Sequence, residues 1–278
     1  MSNPLLFREY ELSVKNRETS IAIKGARVSF EITKSLVAKE NTAYISIYNI
    51  GKETRELISR DYSKLMLKAG YAGNHLSQLI FGDITSSYVT TTQANSITRL
   101  QVVEGNRRLR ERIITINLDN NPTLRDILEE VSSETKYPLK VVGLDQSLVF
   151  DKSYSDQGPT DIILHHIAMR FPFKWSLQNG TILIVGQKVI TGTAGFVLNS
   201  ETGLLLNPNS IKLYENRINT DIIEKDKKNI LALLQPNLAV NDIIEVDSQD
   251  IKGNYRVTKI KHTGDTMANE WYSNIEID

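Results

Sequence analysis

The 278 residues suffice for two or three compact domains, and with 40% of them hydrophobic the chain can build a core in each, which excludes a disordered tail. Lys+Arg and Asp+Glu both number 33, so the formal net charge is zero. That balance argues against a strong non-specific pull toward nucleic acid or an anionic membrane, and the absence of cysteine removes a disulfide framework, a thiolate zinc site and a cysteine nucleophile together.

Met1 to Arg8 shows neither a basic leader nor a long apolar run, and Arg8, Glu9 and Glu11 interrupt the one short apolar patch, so no secretion signal is expected. Nowhere does the chain approach the roughly 18 uninterrupted apolar residues of a membrane-spanning helix, and a soluble protein is expected.

Up to about Leu118 apolar residues recur at every second position, the period of half-buried strands. Val28, Phe30 and Ile32 alternate with Arg27, Ser29 and Glu31, and Ala43, Ile45 and Ile47 alternate with Tyr44, Ser46 and Tyr48 until the turn-compatible Asn49-Ile50-Gly51. A short helix is expected over Lys52 to Arg60, then strands at Leu65 to Ala69, Gln78 to Ile84, Ile97 to Val103 and Ile113 to Leu118. Many short strands with few helices must close or stack to bury one face, as in a barrel or sandwich.

The period then changes. Leu124, Ile127, Leu128 and Val131 share one helical stripe behind Pro122-Thr123 with Asp126 as a start signal. Strands are expected at Leu139 to Val142 and Ser147 to Phe150, and a second helix carries Leu164, Ile167, Ala168 and Phe171 behind Pro159-Thr160. Asn179-Gly180, suited to a tight turn with positive φ, joins Phe173 to Leu177 and Thr181 to Val185 in a hairpin. Residues from about Pro122 to Gly186 therefore read as a small α+β insert of two similar helix-then-strand halves. From about Lys188 strand alternation resumes, clearest at Ile243 to Val246, Tyr255 to Lys261 and Tyr272 to Ile277, with Leu206-Asn207-Pro208-Asn209-Ser210 read as a connection. The mixed-sign run Glu224 to Lys228 reads as a solvated strand or loop tip.

No motif carries visible chemistry. His165 and His166 with Asp161 one turn earlier could begin a metal site but lack a third ligand at a recognisable spacing, and His75 and His262 are isolated. Asp119, Asp145, Asp151 and Asp265 could supply an acid and base pair only if two of them converged. Nucleophile-elbow, phosphate-loop and dinucleotide motifs are absent from the sequence. The densest basic cluster is Arg107, Arg108, Arg110 and Arg112. In an extended strand Arg108, Arg110 and Arg112 would share one face, which is either solvated beside Glu104 and Glu111, a subunit interface, or a phosphate contact.

Several segments together resemble phage baseplate hub proteins of contractile tails. In the first β region they are Val28 to Ile32, Asn41 to Ile50 followed by Thr54-Arg55, Leu67 to Tyr71, and Ile80 to Ile84. In the last they are Glu201 to Leu205, Leu233 to Leu238, Gly253 to Val257, His262 to Asp265, and Trp271. The family is also similar to the N-terminal half of type VI secretion VgrG spikes. The resemblance implies a mainly β (α+β) fold with two tail-tube-like antiparallel β-barrel domains and a small α+β insert between them. The expected domains are residues 1–118, 119–187 and 188–278. It further implies a non-enzymatic homotrimer without cofactor, whose six β modules adapt a hexameric tail tube protein above to a trimeric spike protein below.

Other baseplate proteins would be further partners, with no membrane and no sequence-specific nucleic acid among them. The place would be the tail baseplate of a virion assembled in the host cytoplasm, with Arg108, Arg110 and Arg112 at a partner interface. Because the chain ends near Asp278, fused spike or lysozyme functions are expected on separate chains. The competing expectations are a tail-associated peptidoglycan hydrolase and a tail tube or adaptor protein.

Overall fold

A computed structural model describes residues 7–36, 41–60, 62–73, 76–92, 94–105, 107–186, 195–211 and 227–278. The chain is mainly β with a smaller helical part. Strands β1 (Arg8–Lys15), β2 (Ser20–Ile23), β3 (Val28–Ser35) and β4 (Thr42–Tyr48) lead to helix α1 (Lys52–Ser59). Then come β5 (Lys64–Tyr71), the long β6 (Ser77–Thr91), β7 (Ser96–Val103), a π-helical turn (Arg107–Glu111) and β8 (Ile113–Leu118). The middle of the chain holds α2 (Leu124–Thr135), β9 (Leu139–Val142), β10 (Tyr154–Pro159), α3 (Thr160–Arg170), β11 (Phe173–Gln178) and β12 (Thr181–Gly186). It closes with β13 (Phe196–Leu198), β14 (Leu204–Ile211), β15 (Lys227–Leu233), β16 (Ile243–Asp247), β17 (Lys252–Asp265) and β18 (Trp271–Ile277).

One large sheet runs in the order β14-β15-β18-β17-β3-β4-β7-β6-β5-β1-β2, with β16 paired to β17 and β13 to β16. Strong alternation drives it. In β3, Val28, Phe30, Ile32 and Lys34 are buried while Ser29, Glu31, Thr33 and Ser35 are not, and β4 and β18 repeat the pattern. Three apolar clusters lie on this frame. One gathers β1 to β7 with Trp271 and Leu234, another gathers α2 and α3 with β8 to β12, and a third gathers the C-terminal strands with Leu36, Leu183 and Val185. Strand β8 pairs with β10, and its Ile114 and Ile116 pack into the helical cluster.

The two β regions are welded by β3 and β17, paired antiparallel from Ser29↔Asp265 to Ser35↔Lys259. At this seam Gly264 stands opposite Phe30 on one side and Trp271 on the other. The Phe30 ring lies over it, where an added Cβ would meet ring carbon at 2.3 Å, and Phe30 meets Trp271 edge-on at 5.4 Å. Arg27 closes the end of the seam, its Nε and Nη2 donating to the Asp265 carboxylate at 2.9–3.1 Å.

The middle unit is held to the sheet by a buried polar cluster. The Asn179-Gly180 turn inserts beside β3, β4 and β7: Gly180 N–H donates to Glu104 at 2.6 Å, and Lys34 Nζ donates to Asn179 at 3.2 Å. Asn41 Nδ2 donates to Glu104 at 2.8 Å and to the Leu177 carbonyl at 2.8 Å, while Gln178 Nε2 donates to the Ser35 carbonyl at 3.0 Å. Burial pushes the Lys34 ammonium down and the Glu104 carboxyl up from their ordinary values, and each charge opposes the other's displacement. His262 is fully buried nearby, its Nδ1 2.9 Å from the Ser273 hydroxyl, and burial together with the Lys34 charge holds it at about 3.

Two expected local features change. Ser147 to Phe150 forms no strand beyond a single bridge from Val149 to Thr123, because it and the preceding residue are drawn to the start of α2. Leu124 and Arg125, in the first turn where helix N–H groups have no internal acceptor, donate to Leu148 and Gln146 at 2.7 and 3.1 Å. Residues 206–210 are not a connection but continue β14, with register shifts that suit an edge strand holding Pro208. Glu224, Lys225 and Asp226 lie outside the described residues, and Lys227-Lys228 begin β15. The helix starts agree with expectation, and Thr123 and Asp126 form a reciprocal cap at α2 that holds Asp126 below the usual carboxylate range.

Three measurements check this frame. Replacing Gly264 with Ala should lower the unfolding free energy by about 1–3 kcal/mol through overpacking against Phe30, and Phe30→Leu in the same chain should recover part of the loss in urea titration. Glu104→Ala should cost about 3–5 kcal/mol by leaving Lys34 buried without a counter-charge, whereas Lys34→Met with Glu104→Leu should be far milder; equal losses would contradict a compensated pair. His262 binds its proton in the unfolded chain near pH 6.5 but in the folded chain only near 3. Stability should therefore fall as pH drops through that window, by about 1.4 kcal/mol per unit from this group, and His262→Leu should flatten the slope.

Candidate assembly interface

In the distal half of β6, five consecutive residues, Thr85 to Val89, are exposed. From Ser77 to Asp83 the strand pairs with β5, and at Asp83, where that pairing ends at Lys64↔Asp83, pairing with β7 begins. At the departure point Gly82 packs so closely on β7 that a Cβ would sit 2.5 Å from the Val103 carbonyl oxygen, and Ile84 N–H donates to the Ser63 carbonyl at 3.0 Å. The register with β7 shifts between Ile84 and Ser86, a bulge that turns the strand away from β5. Beyond it, Ser86 to Thr91 pair with Gln101 to Ser96 of β7, and among the described residues no strand covers the other edge.

This edge has an unusual composition. Thr85 to Val89 are exposed on both faces, and no charged residue occurs between Asp83 and Arg99. Natural edge strands are ordinarily blunted by lysine, proline or short length; a β-branched, uncharged edge of this kind is a template for another strand. Arg99 steadies the hairpin from within, donating to Thr90 at 2.9 Å with its guanidinium 6.0 Å from the Tyr88 ring centre. The strand order of this sheet ends at β2 and at β14, and β14 pairs with β15 alone among the described residues.

From β6 across the seam to β18 one face of the sheet is polar. Its rows follow from register: Ser86, Gln101, Tyr44 and Glu31 stand side by side, and Thr263 and Tyr272 extend that row across the seam. The next row but one adds an ion pair, Lys261 to Glu31 at 3.0 Å. The other face is the apolar core.

The residues singled out from sequence are not gathered into a catalytic arrangement. Asp265 is bound by Arg27 in the sheet, far along the topology from Asp119, Asp145 and Asp151 in loops of the middle unit, and Asp145 accepts from Ser147 at 2.9 Å in a local turn. His165 and His166 are exposed on α3; His166 Nδ1 lies 2.9 Å from Asp156, whereas Asp161 pairs with Arg110 at 3.7 Å. No cluster of three potential metal ligands occurs among the described residues, and no helix there is long and apolar enough to cross a membrane. His75 lies outside the described residues.

The arginine stripe is corrected in geometry. Arg107–Glu111 is π-helical rather than extended, because Leu109 turns inward to join the helical cluster and draws the backbone with it, so Arg108, Arg110 and Arg112 do not line one strand face. Arg110 and Arg112 are exposed. The free β6 edge was missed because alternation marks only the buried half of that strand.

No family model and no curated protein matches the chain. Solved structures do. The 43 kDa tail protein of prophage MuSo2 from Shewanella oneidensis superposes with a TM-score of 0.65 at 12% identity, covering 97% of each chain. A tail protein from Neisseria meningitidis MC58 gives 0.65 at 10% identity over 96% of each chain. An E. coli component of the type VI secretion system, itself similar in structure to the T4 bacteriophage tail proteins gp27 and gp5, gives 0.65 at 11% identity over 95% of this chain and 76% of that one. At such identities the correspondence is one of fold, and the fold of this chain is that of phage tail proteins.

Proposed function

We propose that this chain is a structural subunit of a contractile phage tail, a baseplate hub that acts by assembling into a homotrimeric ring. Its N-terminal and C-terminal β regions serve as two tube-like modules, with residues 1–118 and 188–278 as their approximate extents and residues 119–187 as the insert. Three copies then offer six similar modules to a hexameric tail tube protein on one side and three-fold symmetry to a spike protein on the other.

The observation that supports this reading is the open edge of distal β6 together with the β14 end of the sheet and the polar face that runs from β6 to β18. Head-to-tail contact brings the β6 edge of one copy to the β14 edge of the next, so that backbone groups left without partners in a single chain are satisfied around the ring. The polar face then turns toward the central channel and the apolar clusters stay inside each subunit. Function on this reading is geometry, and no turnover is required. Other baseplate proteins would contact the outer surface, in a virion tail assembled in the host cytoplasm.

Solution mass and particle imaging test the proposal together. The purified chain should have the mass of three copies, and tails should carry it as a three-fold ring at the distal end; a six-fold ring along the tube would instead favour a tube or adaptor protein. Ser87→Lys with Val89→Lys, at exposed edge positions, should leave the melting temperature within a few degrees while lowering trimer content at least tenfold. Unchanged trimers in that variant would remove β6 from the interface.

A further inference from the structure

Helix α3 is apolar on two sides, and the chain itself covers only one. Ile163, Leu164 and Ile167 are buried in the helical cluster, while Ile162 and Met169 project to solvent on another stripe, with His165 between them. A helix apolar on two stripes is one that packs twice. The two exposed anchors lie about 10 Å apart along the axis, from seven residues at 1.5 Å each.

A third anchor extends the patch, since Ile113 is 64% exposed and pairs with Pro159, immediately before the helix. The surroundings are basic. Arg112 precedes Ile113 and has no ion-pair partner among the described residues, and Arg170 follows Met169 with its guanidinium 4.6 Å over the Phe150 ring. A stacked guanidinium keeps its N–H edge available for a carboxylate. Of the nearby carboxylates, Asp161 is engaged by Arg110 and Asp156 by His166, while Glu111 and Asp151 are exposed beside Arg112 and Arg170.

The complementary surface is on the C-terminal unit of the same chain. Val197 and Leu205 are exposed there, and Val197 pairs across β13 and β16 with the exposed Glu245. Glu201 and Asp250 are exposed beside these elements, and neither they nor Glu245 has an ion-pair partner among the described residues. Apolar anchors in an acidic setting therefore stand on one unit and apolar anchors in a basic setting on another.

We infer that the outer face of α3, with Ile113, docks on the β13 and β16 surface of a second copy of this chain, a head-to-tail contact that orders the subunits around the ring. Two different patches on one subunit make a heterologous interface, which closes into a ring when the rotation permits. Desolvated apolar anchors supply adhesion, and the opposed charges set the register and reject the face-to-face pairing of like patches. The inference rests on the ring reading above and adds which surfaces meet.

The absence of cysteine makes the test direct. Met169→Cys and Val197→Cys proteins, each with a single thiol, are mixed and treated with a short bismaleimide. The mixed pair should crosslink at least tenfold more than either protein alone. Arg112→Glu with Arg170→Glu should reduce trimers by a similar factor, and Glu245→Lys with Asp250→Lys on the same chain should restore them. If the chain forms trimers but crosslinks only between like positions, or not at all, this interface is wrong while the ring stands. If it remains monomeric both alone and within isolated tails, the ring reading falls and takes this inference with it.

Discussion

The antiparallel pairing of β3 with β17 is the constraint from which the rest of the molecule follows. It joins residues separated by 238 positions at the Arg27–Asp265 pair, so all that lies between must be accommodated as excursions from one seam. Closing so long a loop costs only a few kcal/mol more than closing a short one, because the cost grows with the logarithm of length. The local chemistry is strong enough to meet it: a ladder of backbone hydrogen bonds, the Phe30 ring over Gly264, Trp271 against that ring, and a two-pronged guanidinium–carboxylate contact at the end. Without the seam the chain would be two β units tied by a middle segment. With it, one polar face runs from β6 across the seam to β18.

The attachment of the middle unit obeys a different physics. Leu183 and Val185 place part of β12 in the C-terminal cluster, but the hairpin tip enters among buried polar groups. A buried charge pair gains little net stability over an apolar one, since desolvation consumes most of the attraction. What the Lys34, Asn41, Glu104 and Gln178 cluster supplies is direction: each donor and acceptor is met only when the Asn179-Gly180 turn is seated in one orientation. That specificity matters if α3, on the far side of the unit, must be presented to a neighbour at a fixed angle.

Much of this was legible in sequence, for physical reasons that also explain what was not. Strands buried on one face, such as β3, β4, β7 and β18, declare themselves by alternation, and α2 declares itself by a capping box and one apolar stripe. Strand β10 was missed because Tyr154–Pro159 contains Asp, Gly and Pro in a two-stranded ribbon, where the pairing strand supplies the order that the side chains do not. Ser147 to Phe150 has strand composition, yet its backbone is drawn to the open N-terminus of α2. The arginines have the spacing of a strand face, but Leu109 between them is buried and Arg107–Glu111 is π-helical. Neither seam nor interface could be read in this way, because both depend on which strands become neighbours.

Net charge and edge chemistry meet in a last consequence. A chain of zero formal charge lacks the long-range repulsion that keeps many proteins apart, and β6 offers an uncharged edge without proline or lysine. For a free monomer that combination invites uncontrolled sheet growth. For the ring subunit proposed above, which would join its open β6 edge to the β14 edge of a neighbour, it is suitable, provided another contact fixes the angle of approach so that growth closes on itself after a few copies. Backbone edges alone are permissive about angle, since strands twist over a wide range. Patches of opposite charge around apolar anchors are not permissive, and a helix held at one angle by a buried polar tip is the kind of element that can set the closure.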